Sequence, residues 1–377
     1  MNPRERFHQT IAFGLPDKIP FNPGGPREST LAAWRQQGLP EDQPWHDALM
    51  EILGIEEEKT QPKTDLGVSF RMIPTFEEKV LAHKNGHYIV QDWMGAVTEI
   101  SDAYDYTYIR SAKDFVTRKW HSFPVKTRQD WEEKIRWRYE PRAASRFPDD
   151  FDTRCAKLRE RDYVLGLTFS GPFWQLREWC GMEGLCLMMI EQPDFVTDMV
   201  QFWSDFVLAT LTPILSQAPP DWIQFNEDMA YKMHSMISPR MVRQYLLPTW
   251  KEWIDAIKSA SPGTKVLMDS DGYVGELIPL WVEAGFDACT PMEVAAGNDI
   301  VADREAYGTR IAFLGGIDKR ALAKGGQVMR HELDRVIPPL LLEGGFIPGC
   351  DHGVPPDISW PNFIEYSRYL AHYTGWL

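Results

Sequence analysis

The sequence predicts a (β/α)8 TIM barrel formed by one domain over residues 1–377, with an antiparallel hairpin insertion near the N-terminus. Three observations predict it. From about residue 163 onward short apolar runs alternate with longer amphipathic stretches, and each run ends in polar or glycine residues, as βαβ units do. No run is followed by the GxGxxG fingerprint of a doubly wound dinucleotide sheet; Gly315-Gly316 and Gly325-Gly326 lack its spacing.

Strands are expected at Tyr163 to Thr168, Asp221 to Asn226, Lys265 to Met268, Phe286 to Thr290, Arg310 to Leu314 and Gly345 to Pro348. Helical patterns at Pro193 to Ser216, Pro239 to Ser259 and Gly275 to Ala284 supply right-handed crossovers between them. Two further staves are expected from Lys18 to Asn22 and Leu66 to Met72, which bring the count to eight. Within 65–107, alternating segments flank Asn85-Gly86, a type I′ hairpin signal, so that region reads as a β-rich insertion. The stretch 122–162 is highly charged and reads as solvated helices.

Composition narrows the function classes. Forty Lys and Arg against 54 Asp and Glu give a net charge of -14, which argues against nucleic-acid and anionic-membrane surfaces and leaves small molecules or proteins as partners. Five cysteines without a CxxC pair fit a reducing compartment rather than a disulfide framework. The charged start, MNPRER, lacks the apolar core of a signal peptide, and no run approaches a membrane span, so a cytoplasmic location is expected.

In a barrel, polar residues just after each strand face the active site. That rule collects Asn226, Glu227 and Asp228, then Asp269 and Asp271, Glu293, Asp318, and finally Cys350 with His352 in GGFIPGCDHGVPPD. Converging acids suit either a metal ion or an acid/base pair whose pKa values are pushed apart. A zinc reading takes Cys350 and His352 with a carboxylate, yet a lone Cys-x-His is more often a buried thiol beside a loop histidine. Asp269 and Asp271 equally suit helix capping, and Glu227 equally suits pairing with Lys232 or Arg243. Phe173 and Trp174 after the first strand of the run line a pocket or belong to the core, and Arg27 in GGPRES holds a substrate carboxylate or covers surface.

Several blocks together, RERFHQTIAFGLPDKIPF, NEDMAYK, MDSDGYVGELIPLWVEAGFDACTPMEVAAGND, LGGIDKRALA and GGFIPGCDHGVPPD, resemble the uroporphyrinogen decarboxylase superfamily. The superfamily also contains cobalamin-dependent methyltransferases, and the chain is more similar to that branch. The arginine-rich block of true uroporphyrinogen decarboxylases is replaced by FNPGGPREST, with one arginine for a substrate of eight carboxylates.

The resemblance to coenzyme M methyltransferases implies zinc-ligand positions at Asp269, Asp271 and Cys350, of which only Cys350 keeps its ligand type. The two aspartates shift such a site toward harder oxygen ligands, with His352 and Glu227 available to complete it. Similarity to O-demethylase members implies transfer of a methyl group, from a donor such as a methoxylated aromatic, to the corrinoid of a separate protein. That reading gives catalytic roles to Glu227, Asp271 and His352, substrate contacts to Arg27, Asn226, Phe173 and Trp174, and zinc to Asp269, Cys350, His352 and Glu227. A homodimer is among the assemblies it allows. A cofactor-free decarboxylase is the alternative, and a non-catalytic binding module on a barrel scaffold is a third reading that the clustered acids disfavour.

Overall fold

The computed structural model describes residues 1–55, 64–107 and 116–377. Among the described residues ten strands fall into two sheets. The first is antiparallel in the order β1 (Lys79–Lys84), β2 (His87–Gln91), β3 (Val97–Ser101), β4 (Lys119–Ser122). Asn85 and Gly86 both take positive φ, 53° and 74°, between β1 and β2, which is the backbone a type I′ turn requires. The sheet extends past residue 107, because β4 pairs with β3.

The second sheet is parallel and runs in chain order: β5 (Gly166–Ser170), β6 (Trp222–Asn226), β7 (Lys265–Asp269), β8 (Ala288–Thr290), β9 (Ala312–Ile317), β10 (Phe346–Cys350). All six expected strands are present, shifted by a few residues. Sequential order with helical crossovers such as Pro193–Gln217 and Leu247–Ala260 is consistent with a barrel. Register pairs Ser170 with Asn226 and Asn226 with Asp269, so the strands end level and their following residues share one rim.

The two remaining staves differ from expectation. Neither 18–22 nor 66–72 forms a strand, and ladder hydrogen bonds do not close the sheet among the described residues. Pro20 and Pro23 have no N–H to give a ladder. The first segment still lies against β10: a Cβ on Gly349 would meet the Asn22 carbonyl at 2.6 Å, and Pro26 bridges Val354. In the second segment Phe70 stacks on Phe169 of β5 at 4.8 Å, while Ser69 N–H donates to the Arg146 carbonyl and Arg146 Nη1 donates back to the Ser69 and Arg71 carbonyls. Its backbone hydrogen bonds are spent on a loop instead of a neighbouring strand.

That loop belongs to the charged stretch 122–162, which also departs from expectation. It breaks into short turns, Arg128–Asp130, Trp131–Ile135 and Arg136–Arg138, followed by the helix Phe151–Arg159. Trp131, Ile135, Tyr139 and Arg146 are buried, with Tyr139 packed edge-on against Trp203 and Phe206. Most of its charges are solvated, but Arg146 and the aromatics Trp131 and Tyr139 are core. On one face of the parallel sheet, Leu267, Ala288, Ala312 and Ile347 meet Phe7 and Ile11 of the helix Pro3–Ile11, which places that helix against this face.

Candidate active site at the strand ends

Side chains alternate along a strand, and β6 shows what the alternation does to the site. Trp222, Gln224 and Asn226 are half-buried on one face, and Ile223 and Phe225 are fully buried on the other. Continued past the strand, the period sends Glu227 outward with Phe225 and returns Asp228 to the side of Asn226. A cavity of ≈ 440 Å³ at the strand ends is bordered by Asn226, Asp228, Asp269, Asp271, Cys350 and His352, together with Asn22, Gly24, Gly25, Pro291 and Gly353.

Asp269 accepts a hydrogen bond from Gln224 Nε2 at 3.0 Å. Burial, and then the nearby Asp228 and Asp271 carboxylates, push its pKa up to about 7. Asp228 has φ 41°, in the left-handed region that Asp tolerates better than most residues, and its Oδ1 accepts the Asp271 N–H at 3.1 Å. Burial and then Asp271 raise its pKa as well. His352 Nε2 lies 2.9 Å from Asp271 Oδ2, while its Nδ1 lies 3.5 Å from Arg27 Nη2. The first contact has ordinary hydrogen-bond length and the second is long, so Asp271 governs the ring; that hydrogen bond raises the His352 pKa above its usual value. Asn226 contributes a buried Oδ1 with no hydrogen-bond partner among the described residues.

Several expected members stand elsewhere. Glu227 is fully buried, with Oε2 accepting the Trp174 N–H at 3.0 Å and Oε1 accepting Trp250 Nε1–H at 2.7 Å. It satisfies an orphan amide at the start of the helix Pro172–Cys180. A Cβ on Gly171 would fall 2.1 Å from the Glu227 Cδ, so only glycine admits it there. Burial pushes its carboxyl up to about 7 as well, but it has no face on the cavity. Phe173 is core, and Trp174 lines a different chamber. Glu293 is neutralised by Lys319 Nζ at 2.6 Å, and Asp318 caps the helix Lys319–Lys324. Asp351 is buried and accepts the Val294 and Lys319 N–H groups at 2.8 and 3.1 Å, tying together three loops after successive strands.

The four residues expected to bind zinc, Asp269, Cys350, His352 and Glu227, do not fit that ion as arranged. Among the described residues no three His, Cys, Asp or Glu side chains form a group that could hold a metal ion. Glu227 faces away, and Cys350, although it borders the cavity, is packed within the core cluster. Gly24, at φ 100°, lets the chain pass so close that a Cβ would lie 2.9 Å from the Cys350 Cβ. Sequence reading missed Gln224 and the backbone of residues 22–25; strand alternation points to the first, and no spacing signal points to the second.

Among the described residues, no helix is long and apolar enough to cross a membrane. The chain resembles a uroporphyrinogen decarboxylase of Methylococcus capsulatus, with 24% identity over 219 residues; the match spans 55% of this chain and 59% of that relative. A solved structure of a methyltransferase from Methanosarcina mazei is similar across 99% of both chains with a TM-score of 0.57 and 14% identity, a likeness of fold. The family model for uroporphyrinogen decarboxylase (URO-D) matches residues 157–366, from the helix before β5 to the last helix and more than half of the chain. The chain belongs to the uroporphyrinogen decarboxylase family.

Proposed function

We propose that the cavity at the strand ends is a methyl-transfer site, in which a compact methyl ether or methylated amine gives up its methyl group to the corrinoid of a separate protein. One observation carries this reading: Asp228, Asp269 and Asp271 gather at the cavity with Arg27 as the cation at its edge, and Asp269 is held near neutrality. A substrate of many carboxylates would add negative charge where three acids already repel. A neutral or cationic donor would not. Among the described residues no Phe, Tyr or Trp borders the cavity, so the lining favours a compact donor over a methoxylated aromatic.

Departure of a methyl group from an ether leaves the electron pair of the broken C–O bond on oxygen. In this reading protonated Asp269 supplies the proton that oxygen needs, and solvent restores it afterwards. The corrinoid, as acceptor, supplies the nucleophile. The hydrogen bond from His352 to Asp271 favours the charged ring and so compensates one of the neighbouring carboxylates, while Gln224 fixes the Asp269 side chain. The acid/base chemistry rests on Asp269, Asp271 and His352; Glu227 supports the helix beside them. No step is assigned to zinc.

The test uses free cob(I)alamin as acceptor with 2-methoxyethanol and trimethylammonium as donors. Loss of cob(I)alamin absorbance that depends on enzyme and donor is the expected result. Carbon dioxide release from uroporphyrinogen, without methyl transfer by the same preparation, contradicts the proposal.

A further inference from the structure

A larger chamber, ≈ 790 Å³, lies between the antiparallel sheet and the helices Pro172–Cys180 and Met182–Glu191. It shares no lining residue with the cavity at the strand ends. Its walls include Trp120, Phe123, Trp174 and Met188, and Trp120 stacks on Phe123 at 5.0 Å. Charged groups of both signs also line it, Lys126, Glu183 and Glu191 among them, and three, Arg118, Arg177 and Glu178, stand beside the aromatic wall.

The three are not equally satisfied. Arg177 Nη1 donates to the Asp228 carbonyl at 2.7 Å, and Glu178 accepts from Trp174 Nε1 at 2.8 Å and Gln175 Nε2 at 3.2 Å. Arg118 lies over the Trp120 ring at 4.5 Å, yet its Nη1 is buried with no hydrogen-bond partner among the described residues. A buried guanidinium N–H without an acceptor is costly, and an anion at that nitrogen removes the cost. Burial holds the Glu178 carboxyl up to about 7, so near neutral pH much of it is uncharged and does not repel such an anion.

We propose that this chamber is a second ligand site, which takes an aromatic monoanion with its ring among Trp120, Phe123 and Trp174 and its acidic group on Arg118. The volume falls within the usual range for small-molecule sites. The occupant must be flat and apolar over most of its body and carry a single anionic group.

Two fluorescent probes that share a ring system test this: 8-anilinonaphthalene-1-sulfonate, which is anionic, and N-phenyl-1-naphthylamine, which is neutral. Each is titrated against the full chain and two variants. Arg118→Met is expected to weaken the anionic probe about tenfold or more while leaving the neutral one within about twofold. Gly184→Phe is expected to abolish binding of both, because a Cβ at Gly184 meets only Cys180 Cβ, at 3.9 Å, and a larger side chain grows into the chamber. The melting midpoint of each variant reports its folding. Failure of the wild type to bind the anionic probe overturns the proposal, as does equal loss of both probes in R118M or no loss of either. If R118M does not fold, G184F decides, and an unchanged affinity for the anionic probe overturns the site.

Discussion

Aspartates at the two ends of the parallel strands meet opposite surroundings. Asp221, just before β6, accepts from Arg4 Nε, His8 Nε2, Arg161 Nη2 and the Leu165 N–H, all within 3.0 Å. Burial raises its pKa, but the His8 hydrogen bond, the Leu165 amide and the two arginines outweigh it and hold the carboxyl down at about 2. Asp287, before β8, is paired with Lys258 at 2.6 Å. At the other end Asp228, Asp269 and Asp271 stand close enough to raise one another's pKa, with Arg27, Arg177 and the Asp271-bound His352 nearby, and Asp269 stands near 7. The same side chain is held charged where cations converge on it and pushed toward its neutral form where acids do; in the proposed function, the first end of the sheet serves stability and the second chemistry.

The largest predicted effects separate the two ends. Asp269→Asn is expected to lower the rate of methyl transfer from an ether by about 100-fold or more, with little change in melting midpoint, because it removes the proton donor while preserving shape. Asp221→Asn is expected to destabilise the protein by about 3–5 kcal/mol in urea unfolding, since it leaves buried cations uncompensated, while the folded fraction keeps its activity. An exchange of these phenotypes would break the comparison.

Glu227 sharpens it, because its pKa matches that of Asp269 and its surroundings do not. Glu227→Ala leaves the Trp174 amide and the Trp250 indole N–H without acceptors, and a loss of about 2–4 kcal/mol is expected by thermal or chemical unfolding. Its turnover per folded molecule should change far less than that of D269N. A raised pKa alone therefore does not mark a catalytic acid; the face on which the carboxyl lies decides.

The two ends also predict pH dependences of opposite sign. Glu227 and Asp269 have folded pKa values raised from 4.5 and 3.8 to about 7, so the native state binds more protons than the unfolded chain between those limits. Their stabilising contribution is complete below about pH 4 and is lost as pH rises through 7, at up to about 1.4 kcal/mol per pH unit for each group. Asp221, lowered from 3.8 to about 2, contributes stability above about pH 4 and loses it as pH falls toward 2. Melting midpoints against pH should show a shallower fall between pH 5 and 7 in Glu227→Gln, and a reduced acid limb in D221N. The smallest effect is expected from Asp271→Asn, which should lower the His352 pKa, read from its ring proton shifts by NMR.

Much of this was legible in the residues, and the limits were physical. The six parallel strands announce themselves because each is an apolar run closed by turn residues, and the Asn85-Gly86 turn is where its sequence puts it. The two flanking staves failed because strand-like composition cannot overcome proline on one side or the hydrogen bonds of Arg146 on the other. At the site, position after a strand located the correct rim but not the facing of each side chain. Counting by twos from Ile223 and Phe225 would have turned Glu227 away and kept Asp228 in. The capping of Asp318, the Glu293–Lys319 pair and the buried place of Cys350 depend on contacts between loops far apart in sequence, which local patterns do not encode.

The central claim, that Asp269 protonates the leaving atom during methyl transfer, is tested most directly by two donors in wild type and D269N. An ether such as 2-methoxyethanol releases an alkoxide that needs a proton, whereas tetramethylammonium releases a neutral amine that does not. D269N is expected to slow transfer from the ether by about 100-fold or more and to leave transfer from the quaternary ammonium nearly unchanged. Equal slowing of both donors, or an ether rate that D269N does not alter, would contradict it.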